Sequence, residues 1–434
     1  MNISVIGLGK LGLPLAATIA SKGHLVYGVD INKEVINNLK KGKTFLNEPG
    51  LSKLLKKFRK SIIATENIEE AVLNSNITFI ITPTPSMANG YFSNKFVTPV
   101  AKEIAKALKV KKGYHLVVLV STVMPNSTDK IKKVLEKYSG KICGRDFGVC
   151  YNPEFIALGS VIYNLLNPDF ILIGESDQKA GDILEKFHKK YCNNKPKFAR
   201  MNFSNAELTK ISVNTYITTK ISYANMLTEI CEKLPGGNVD VVTSALGLDS
   251  RIGRKYLKGG PAFGGPCFPR DNAAFISLAK RSKANFHIPL ATHKTNIRQT
   301  KRLIKKILDL VKKDTPIGIL GLSYKPFTDV IEESFGMVLA KELINKKMTI
   351  YLHDPLALEN AKKVFNNSTH YENDIKSCIK KSHILVIATD WPHFKDLKKS
   401  WFGTNPKILI DPWRLVNTQN LTKNVTYFPL GLNL

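Results

Sequence analysis

Ile3-Ser4-Val5-Ile6-Gly7-Leu8-Gly9-Lys10-Leu11-Gly12-Leu13-Pro14-Leu15-Ala16-Ala17-Thr18-Ile19-Ala20 decides the fold. Ile3 to Ile6 reads as a buried strand, the three glycines stand at G-x-G-x-x-G spacing, and the Ala-rich run to Ala20 reads as a helix. Each glycine has a physical task in such a turn. Gly7 permits the tight turn, Gly9 lets a pyrophosphate come close to the backbone, and Gly12 lets the helix pack on the strand. A second strand, Leu25 to Val29, ends in Asp30, about 20 residues past the turn. A carboxylate there accepts from a ribose 2′-OH and repels a 2′-phosphate, so NAD is expected over NADP.

Working outward, the apolar runs Ile77 to Ile81, Leu116 to Val120 and Phe170 to Ile173 alternate with Lys/Glu-rich amphipathic stretches. That alternation predicts an α/β domain over residues 1–200 built on a doubly wound parallel sheet. At Ser204-Asn205-Ala206-Glu207 a capping box opens a stretch free of Gly and Pro up to Leu234. A helix of roughly 30 residues spans about 45 Å, enough to connect domains or form a subunit interface. The Gly/Pro-rich run Gly259 to Pro269 reads as a loop, and 272–313 returns to helical composition. From Pro316 the opening theme recurs: Ile317 to Leu320 with Gly321 gives strand and turn, Thr349 to His353 gives a strand ending in Asp354, and Ile384 to Ala388 and Ile408 to Ile410 follow. This second Rossmann-like half lacks the full glycine pattern and is expected to bind something other than a dinucleotide. Three domains are expected: a cofactor domain 1–200, a central helical domain 201–300 carrying a cysteine loop, and a third domain 301–434.

Composition narrows the class. With 434 residues, 43% hydrophobic, 23% charged and a mean hydropathy of -0.10, disordered, collagenous and multi-span membrane chains are excluded. Sixty-four Lys and Arg against 35 Asp and Glu leave +29, which points to anionic partners: nucleic acid, membrane surface or phosphorylated substrates. The lysines are dispersed without an aromatic-interleaved basic stripe, so a nucleic-acid-binding protein on a dinucleotide fold ranks below an enzyme. Six cysteines without a C-x-x-C pair argue against a zinc site or disulfide framework, and no metal is expected. A reduced, cytoplasmic setting fits. The glycines interrupt the apolar N-terminus and no basic segment precedes it, so it reads as mature fold rather than a signal peptide.

Cys267 stands between glycines and prolines rather than inside an apolar element, which suits a nucleophile, with Asp271 placed to orient water or a base. A packed structural thiol is the equal alternative. Lys210 and Asn214 share a helix face, where a desolvated lysine holds an oxyanion; on so lysine-rich a chain a solvated lysine is the commoner reading. Glu154, after a strand, suits a base.

Taken together, these segments resemble the UDP-glucose/GDP-mannose dehydrogenase family of nucleotide-sugar 6-dehydrogenases. The resemblance runs nearly end to end, through Gly7 to Pro14, Asn47-Glu48-Pro49-Gly50-Leu51, Thr82-Pro83-Thr84, Ser121-Thr122-Val123, Tyr151-Asn152-Pro153-Glu154-Phe155, the Lys210/Asn214 helix, Asp249 to Gly253, Gly264 to Asp271 and Gly321 to Pro326. It implies a four-electron oxidation of a sugar C6 alcohol to a carboxylate with two NAD+ reduced. Cys267 would capture the aldehyde as a thiohemiacetal and then carry the thioester. Lys210 and Asn214 would stabilise the oxyanion, Asp271 would share general-base work, and Thr122 and Glu154 would organise water and the reacting carbon. It also implies a cofactor set of Gly7, Gly9, Leu11, Gly12, Asp30, Thr82, Pro83, Thr84, Ser121, Thr122 and Arg270. The implied substrate set adds Phe155, Arg251 lent to a neighbouring subunit, Tyr256, Leu257, Lys258, Gly259, Gly260, Gly264, Lys325 and Arg414 to Glu154, Lys210 and Asn214. A homodimer on the long helix follows by the same analogy.

Three departures touch the nicotinamide side or the catalytic loop: Leu158 replaces a common glutamate, Glu332 a common arginine, and Pro266 the usual serine. Rewired cofactor contacts are expected. Asn47 to Leu51 favours UDP-glucose over UDP-N-acetylhexosamines (ManNAc, GlcNAc), with GDP-mannose a further alternative. A two-electron 3-hydroxyacid-type dehydrogenase shares the long-helix middle but has no use for Cys267.

Overall fold

The computed structural model describes residues 1–311 and 315–433, and its contacts divide the chain into two units, Met1–Ser212 and Val213–Leu434. In the first unit the strands are β1 (Asn2–Ile6), β2 (Leu25–Val29), β3 (Ile62–Thr65), β4 (Ile77–Ile80), β5 (His115–Leu119), β6 (Phe147–Tyr151), β7 (Phe170–Glu175) and β8 (Lys197–Met201). They lie in the order β3-β2-β1-β4-β5-β6-β7-β8, all parallel except the β6–β7 pair. The doubly wound parallel sheet expected is present, with β6–β7 its one antiparallel pairing. Helices α1 (Gly12–Ser21), α2 (Lys33–Lys40), α3 (Leu51–Lys57), α4 (Ile68–Leu73), α5 (Val97–Val110), α6 (Ser127–Ser139), α7 (Val161–Leu166) and α8 (Gln178–Tyr191) cover it. Side chains of α1, α2, α3, α7 and α8 join one apolar cluster and those of α4, α5 and α6 the other. With both faces covered, the central strands β1, β4 and β5 are mostly apolar and read as continuous runs, and their buried polar residues Ser4, Thr78 and His115 bond one another (Ser4 Oγ to Thr78 Oγ1 2.6 Å, Thr78 Oγ1 to His115 Nε2 2.8 Å).

Helix α9 (Phe203–Cys231) begins in the first unit and continues into the second. Its 29 residues bear out the long Gly- and Pro-free helix. The expected capping box is not formed: Asn202 Oδ1 accepts from Asn205 N (2.9 Å), and Glu207 turns to donors on a different helix. The S-x-x-E signature counts only local donors, and here Asn202 reaches them first.

The second unit adds α10 (Val239–Leu246), α11 (Phe268–Arg281) and α12 (His287–Leu310), then β9 (Ile317–Leu320), α13 (Phe335–Asn345), β10 (Ile350–His353), α14 (Leu358–Phe365), β11 (His370–Tyr371), α15 (Ile375–Lys381), β12 (Ile384–Ile387), β13 (Lys407–Asp411) and β14 (Val425–Pro429). Residues 312 and 313, the end of the expected helical stretch, lie outside the described residues. The sheet runs β11-β10-β9-β12-β13-β14, all parallel. In each unit strand order reverses beside the first strand, between β1 and β4 and between β9 and β12, opening a crevice at the carboxyl ends.

The two crevices differ at one carboxylate. Asp354 is buried and accepts from Leu322 N (2.7 Å), Ser323 N (3.0 Å), Ser323 Oγ (3.0 Å), Leu356 N (2.8 Å), Ala357 N (2.7 Å) and Trp391 Nε1 (3.2 Å). It ties the turn after β9 to the start of α14. Replacing Asp354 with Ala strands those donors, and a loss of about 3 kcal/mol or more is expected in the denaturant-unfolding transition of the second unit.

Candidate functional site

The turn after β1 is shaped by backbone contact. Gly7 has φ 95° and donates to Val29 O (2.8 Å), and a Cβ there would lie 2.1 Å from Ile81 O. A Cβ on Gly12 would lie 1.8 Å from Gly7 O, whereas one on Gly9 would meet nothing within 4 Å. So Gly7 and Gly12 are fixed by the fold, and Gly9 faces open space. That space adjoins the start of α1, whose N-cap position Leu11 supplies no side-chain cap and whose first turn holds no acid. Uncapped N–H groups and the helix dipole suit an anion there. Asp30 Oδ2 accepts from Leu8 N (2.7 Å) and Oδ1 from Asn32 N (2.9 Å), one bond per oxygen, while the residue stays partly exposed. Its remaining lone pairs suit ribose hydroxyls.

Across the crevice, Ser121 Oγ accepts from Thr82 N (2.9 Å) and donates to Thr82 O (2.7 Å), and Thr84 Oγ1 donates to Thr122 O (2.7 Å). The 82–84 and 121–122 segments are thereby zipped together. Thr82 Oγ1 is buried with no hydrogen-bond partner, a polar group left for a ligand; Pro83 is exposed. This set fits a dinucleotide: glycine turn, open helix end, ribose acceptor and an orphaned hydroxyl.

In the same unit Lys210 is buried, donates from Nζ to Glu154 O (2.6 Å) and lies 4.4 Å from the Phe155 ring centroid. Burial pushes the Glu154 carboxyl up to about 7, against the opposing pull of Lys210. Asn152 is held between His188, whose Nε2 lies 2.8 Å from Asn152 Oδ1, and Leu172 O, which accepts from Asn152 Nδ2 (2.9 Å). Glu48 pins the far end of this segment through Gly159 N (3.0 Å) and Ile162 N (3.4 Å). The helix reading of Lys210 thus becomes specific: it is not a solvated lysine.

In the second unit Cys267 is exposed and occupies the N-cap position of α11, with Pro269 in the first turn. Asp271 N donates to Cys267 O (2.8 Å), closing that turn. Asn214 Nδ2 donates to Asp271 Oδ2 (2.6 Å), and Arg270 Nε lies 3.5 Å from Asp271 Oδ1. Asp271 is buried. The residues before the cysteine are gripped by amide side chains. Asn225 takes Gly260 N (2.8 Å) and Pro261 O (3.3 Å), Gln299 takes Gly260 O (2.7 Å), and Asn296 takes Phe263 N (2.8 Å) and Phe263 O (2.9 Å). A Cβ on Gly264 would lie 2.0 Å from Glu333 O; Gly265 has φ 83° and packs on the Tyr324 ring, where a Cβ would lie 2.5 Å from its nearest atom. Burial, with Cys267 and Glu332 nearby, pushes the Tyr324 hydroxyl pKa up.

The remaining expected residues sort by contact. Tyr256 (φ 66°) is exposed, Leu257 is buried, and Lys258 lies 3.7 Å from Asp390 and 5.3 Å from the Trp413 ring centroid. Gly259 and Gly260 pack close to Thr228 and Trp413. Lys325 lies 6.0 Å from the Tyr324 ring centroid. Arg251 extends on the surface, held by Asp249 (2.6 Å). Arg414 engages all five of its N–H donors within the unit: Nε with Asp240 Oδ2 (2.7 Å), NH1 with Pro412 O (2.8 Å) and Leu430 O (2.9 Å), NH2 with Asp240 Oδ1 (2.9 Å) and Gly259 O (2.8 Å). It supports the loop at Gly259 and has no donor over for a diphosphate. Of the departures, Leu158 packs against the core, Glu332 is exposed and accepts Gly265 N through its carbonyl (2.9 Å), and Pro266 is partly buried. Among the described residues no His/Cys/Asp/Glu cluster suited to a metal is present, and no helix is long and apolar enough to cross a membrane.

Three family models match in chain order: the UDP-glucose/GDP-mannose dehydrogenase NAD binding domain over residues 1–192, central domain over 204–298 and UDP binding domain over 318–418. The chain is similar to the UDP-glucose 6-dehydrogenase AglM of Haloferax volcanii, 31% identical over 420 residues, covering 96% of this chain and 97% of that protein. It is 32% identical over 399 residues to YwqF, a UDP-glucose 6-dehydrogenase of Bacillus subtilis, covering 91% and 89%. Among solved structures, a UDP-glucose dehydrogenase from Pyrobaculum islandicum superposes with a TM-score of 0.90 at 31% identity, covering 100% and 98%. A UDP-D-ManNAc dehydrogenase from Pyrococcus horikoshii shares the fold at TM-score 0.83 and 24% identity.

The glycine geometry separates folding from cofactor affinity. Gly9→Ala is expected to keep the thermal midpoint within a few degrees while weakening NAD binding at least about tenfold in a fluorescence titration. Gly7→Ala, placed against Ile81 O, is expected to lower the midpoint sharply.

Proposed function

This chain belongs to the UDP-glucose/GDP-mannose dehydrogenase family and is an NAD-dependent nucleotide-sugar 6-dehydrogenase, and on that premise we propose that it oxidises UDP-glucose to the uronic acid. Cys267 carries the reading: a thiol exposed at the start of a helix, followed one turn later by a buried aspartate that an amide holds in place. The full-length similarity to UDP-glucose 6-dehydrogenases makes glucose the first sugar, ahead of N-acetylhexosamines and mannose.

Gly7, Gly9, Leu11, Gly12, Asp30, Thr82, Pro83, Thr84, Ser121, Thr122 and Arg270 would hold NAD, which would supply the hydride acceptor for each of two oxidations. The chain's own groups do the rest. A base takes the C6 hydroxyl proton as the alcohol becomes an aldehyde. Cys267 Sγ then adds to the aldehyde carbon, and Lys210 and Asn214 stabilise the oxygen that gains negative charge. Loss of the second hydride and a proton leaves a thioester. Water, deprotonated by Asp271 or Glu154 and placed with the help of Thr122, attacks that carbon and expels the thiolate, giving the carboxylate. A thiol suits both halves, as strong nucleophile and good leaving group. The substrate contacts are Glu154, Phe155, Lys210, Asn214, Arg251, Tyr256, Leu257, Lys258, Gly259, Gly260, Gly264 and Lys325, with Arg414 reassigned to support of the loop.

On this reading the functional domains are 1–200, 201–300 and 301–434, the chain forms a homodimer on α9, and it works in the cytoplasm supplying a uronic acid for polysaccharide synthesis. Leu158, Glu332 and Pro266 reflect rewired cofactor contacts, since Cys267, the glycine turn and Lys325 are all present.

Two tests follow from these roles. Purified protein with NAD+ and limiting UDP-glucose is expected to yield two NADH per sugar, and Cys267→Ser is expected to stall while still binding both ligands; one NADH per sugar, or full turnover by that variant, defeats the thioester route. A Glu154 carboxyl at about 7 is protonated below that pH and accepts protons only above it. The rate is therefore expected to climb as pH rises through about 7, and Glu154→Gln is expected to abolish that limb of the pH–rate profile.

A further inference from the structure

One fully buried charge on α9 has no part in the chemistry above. Glu207 is 0% exposed, and its carboxylate accepts from Asn126 N (2.7 Å), Thr128 N (2.7 Å) and Thr128 Oγ1 (2.7 Å). Taking a carboxylate out of water costs several kcal/mol, and these three donors offset that cost. They stand at the start of α6, where the helix dipole also favours an anion. Asn126 has φ 72°, a left-handed backbone that Asn tolerates better than most residues, with its N–H aimed at Glu207 Oε2. Burial raises the Glu207 carboxyl pKa, and the bonds from Thr128, Asn126 and Ser127 oppose that rise.

The captured segment continues back to Thr122 and Ser121, which are tied in turn to Thr84 and Thr82. Three residues further along α9, on the same face, Lys210 grips Glu154 O. One helix face therefore holds two loops by opposite means, a carboxylate for backbone N–H and an ammonium for backbone C=O.

We propose that Glu207 is a positioning residue for the oxidation: it fixes the 121–128 loop so that Thr122 stands at a set distance from the segment of Glu154. The proposal rests on the function assigned above and adds a residue that touches neither substrate nor cofactor. In Glu207→Gln, an amide of nearly equal volume sets its own N–H donors against backbone donors. Asn126 and Thr128 amides are expected to exchange with deuterium at least about tenfold faster, with the effect reaching Ser121 and Thr122. Turnover kcat is expected to fall about ten- to a hundredfold, since misplacement by about 1 Å has that effect, while the NAD Kd rises by a clearly smaller factor, because Ser121 and Thr122 are only two of the assigned cofactor contacts. Glu207→Asp, still anionic, is expected to recover part of kcat. If Glu207→Gln does not fold, Thr128→Val, which removes one donor of the three, is expected to show the same pattern at a few-fold magnitude. Unchanged exchange over 121–128, kcat within about twofold of wild type, or parallel loss of NAD affinity and kcat in the folded variant overturns the proposal. Exchange is read without turnover, so an inactive wild type would defeat the assigned function while the exchange result still judges the loop clamp.

Discussion

A carboxylate at the end of the second strand organises the glycine turn after the first strand in both halves of this chain, and the number of donors it takes sets what each half can bind. Asp30 accepts two backbone N–H groups, one on each oxygen, and stays partly exposed. Asp354 accepts six donors and is buried. A saturated, buried carboxylate presents nothing to a ribose. An unsaturated one at a crevice edge, beside an uncapped helix start and a glycine with open space over it, does. The same topology thus gives one dinucleotide cradle and one half left to other ligands.

That distinction was only half legible in the sequence. The glycine spacing and the Asp30 position give the first cradle, and in the second Ser323 and Pro326 stand at the later glycine positions after Gly321, but Asp30 and Asp354 look alike as strand-end acids. Their donors come from turns and from Trp391, which no local pattern reveals. Strands covered on both faces were readable as apolar runs, and β2 matches the expected Leu25–Val29. Among those missed, β8 begins Lys197-Phe198-Ala199-Arg200 and β11 has two residues. The amides that hold the cysteine loop, Asn225, Asn296 and Gln299, lie on α9 and α12 far from it in sequence, and read there as ordinary helix polar residues. Glu207 misled because a capping-box pattern is satisfied by spacing alone, whereas the real donors were on α6.

The +29 charge has a partly structural use in the second unit. Arg298 pairs with Glu229, while Arg302 (2.8 Å) and Lys306 (2.6 Å) share Glu232, whose other oxygen accepts Gly431 N (3.0 Å). These cations bind α12 to α9 and to the C-terminal segment. Many other pairs are exposed i,i+3 or i,i+4 contacts, such as Lys106 with Glu103 and Lys189 with Glu185, each worth at most about 1 kcal/mol. Most of the excess therefore stays on solvated surface and reports on solubility and anion attraction rather than on fold.

Several candidate site residues, Thr82, Thr122, Glu154 and the run from Gly259 to Cys267, lie outside helices and strands, and such a segment left to itself samples many conformations at a cost of about 1–2 kcal/mol per residue to order. Here the ordering is done at the backbone by buried side chains rather than by packing of the reactive groups themselves. Ser121 holds Thr82, Lys210 holds Glu154, Asn152 is wedged between His188 and Leu172, and Arg414 with Asn225 and Gln299 holds Gly259 and Gly260. Such clamps fix the main chain within each unit, which is the condition for electrostatic stabilisation without reorganisation. They also explain why Cys267 can be exposed and yet placed: the loop before it is anchored at three successive points and the helix after it begins at the thiol's own residue.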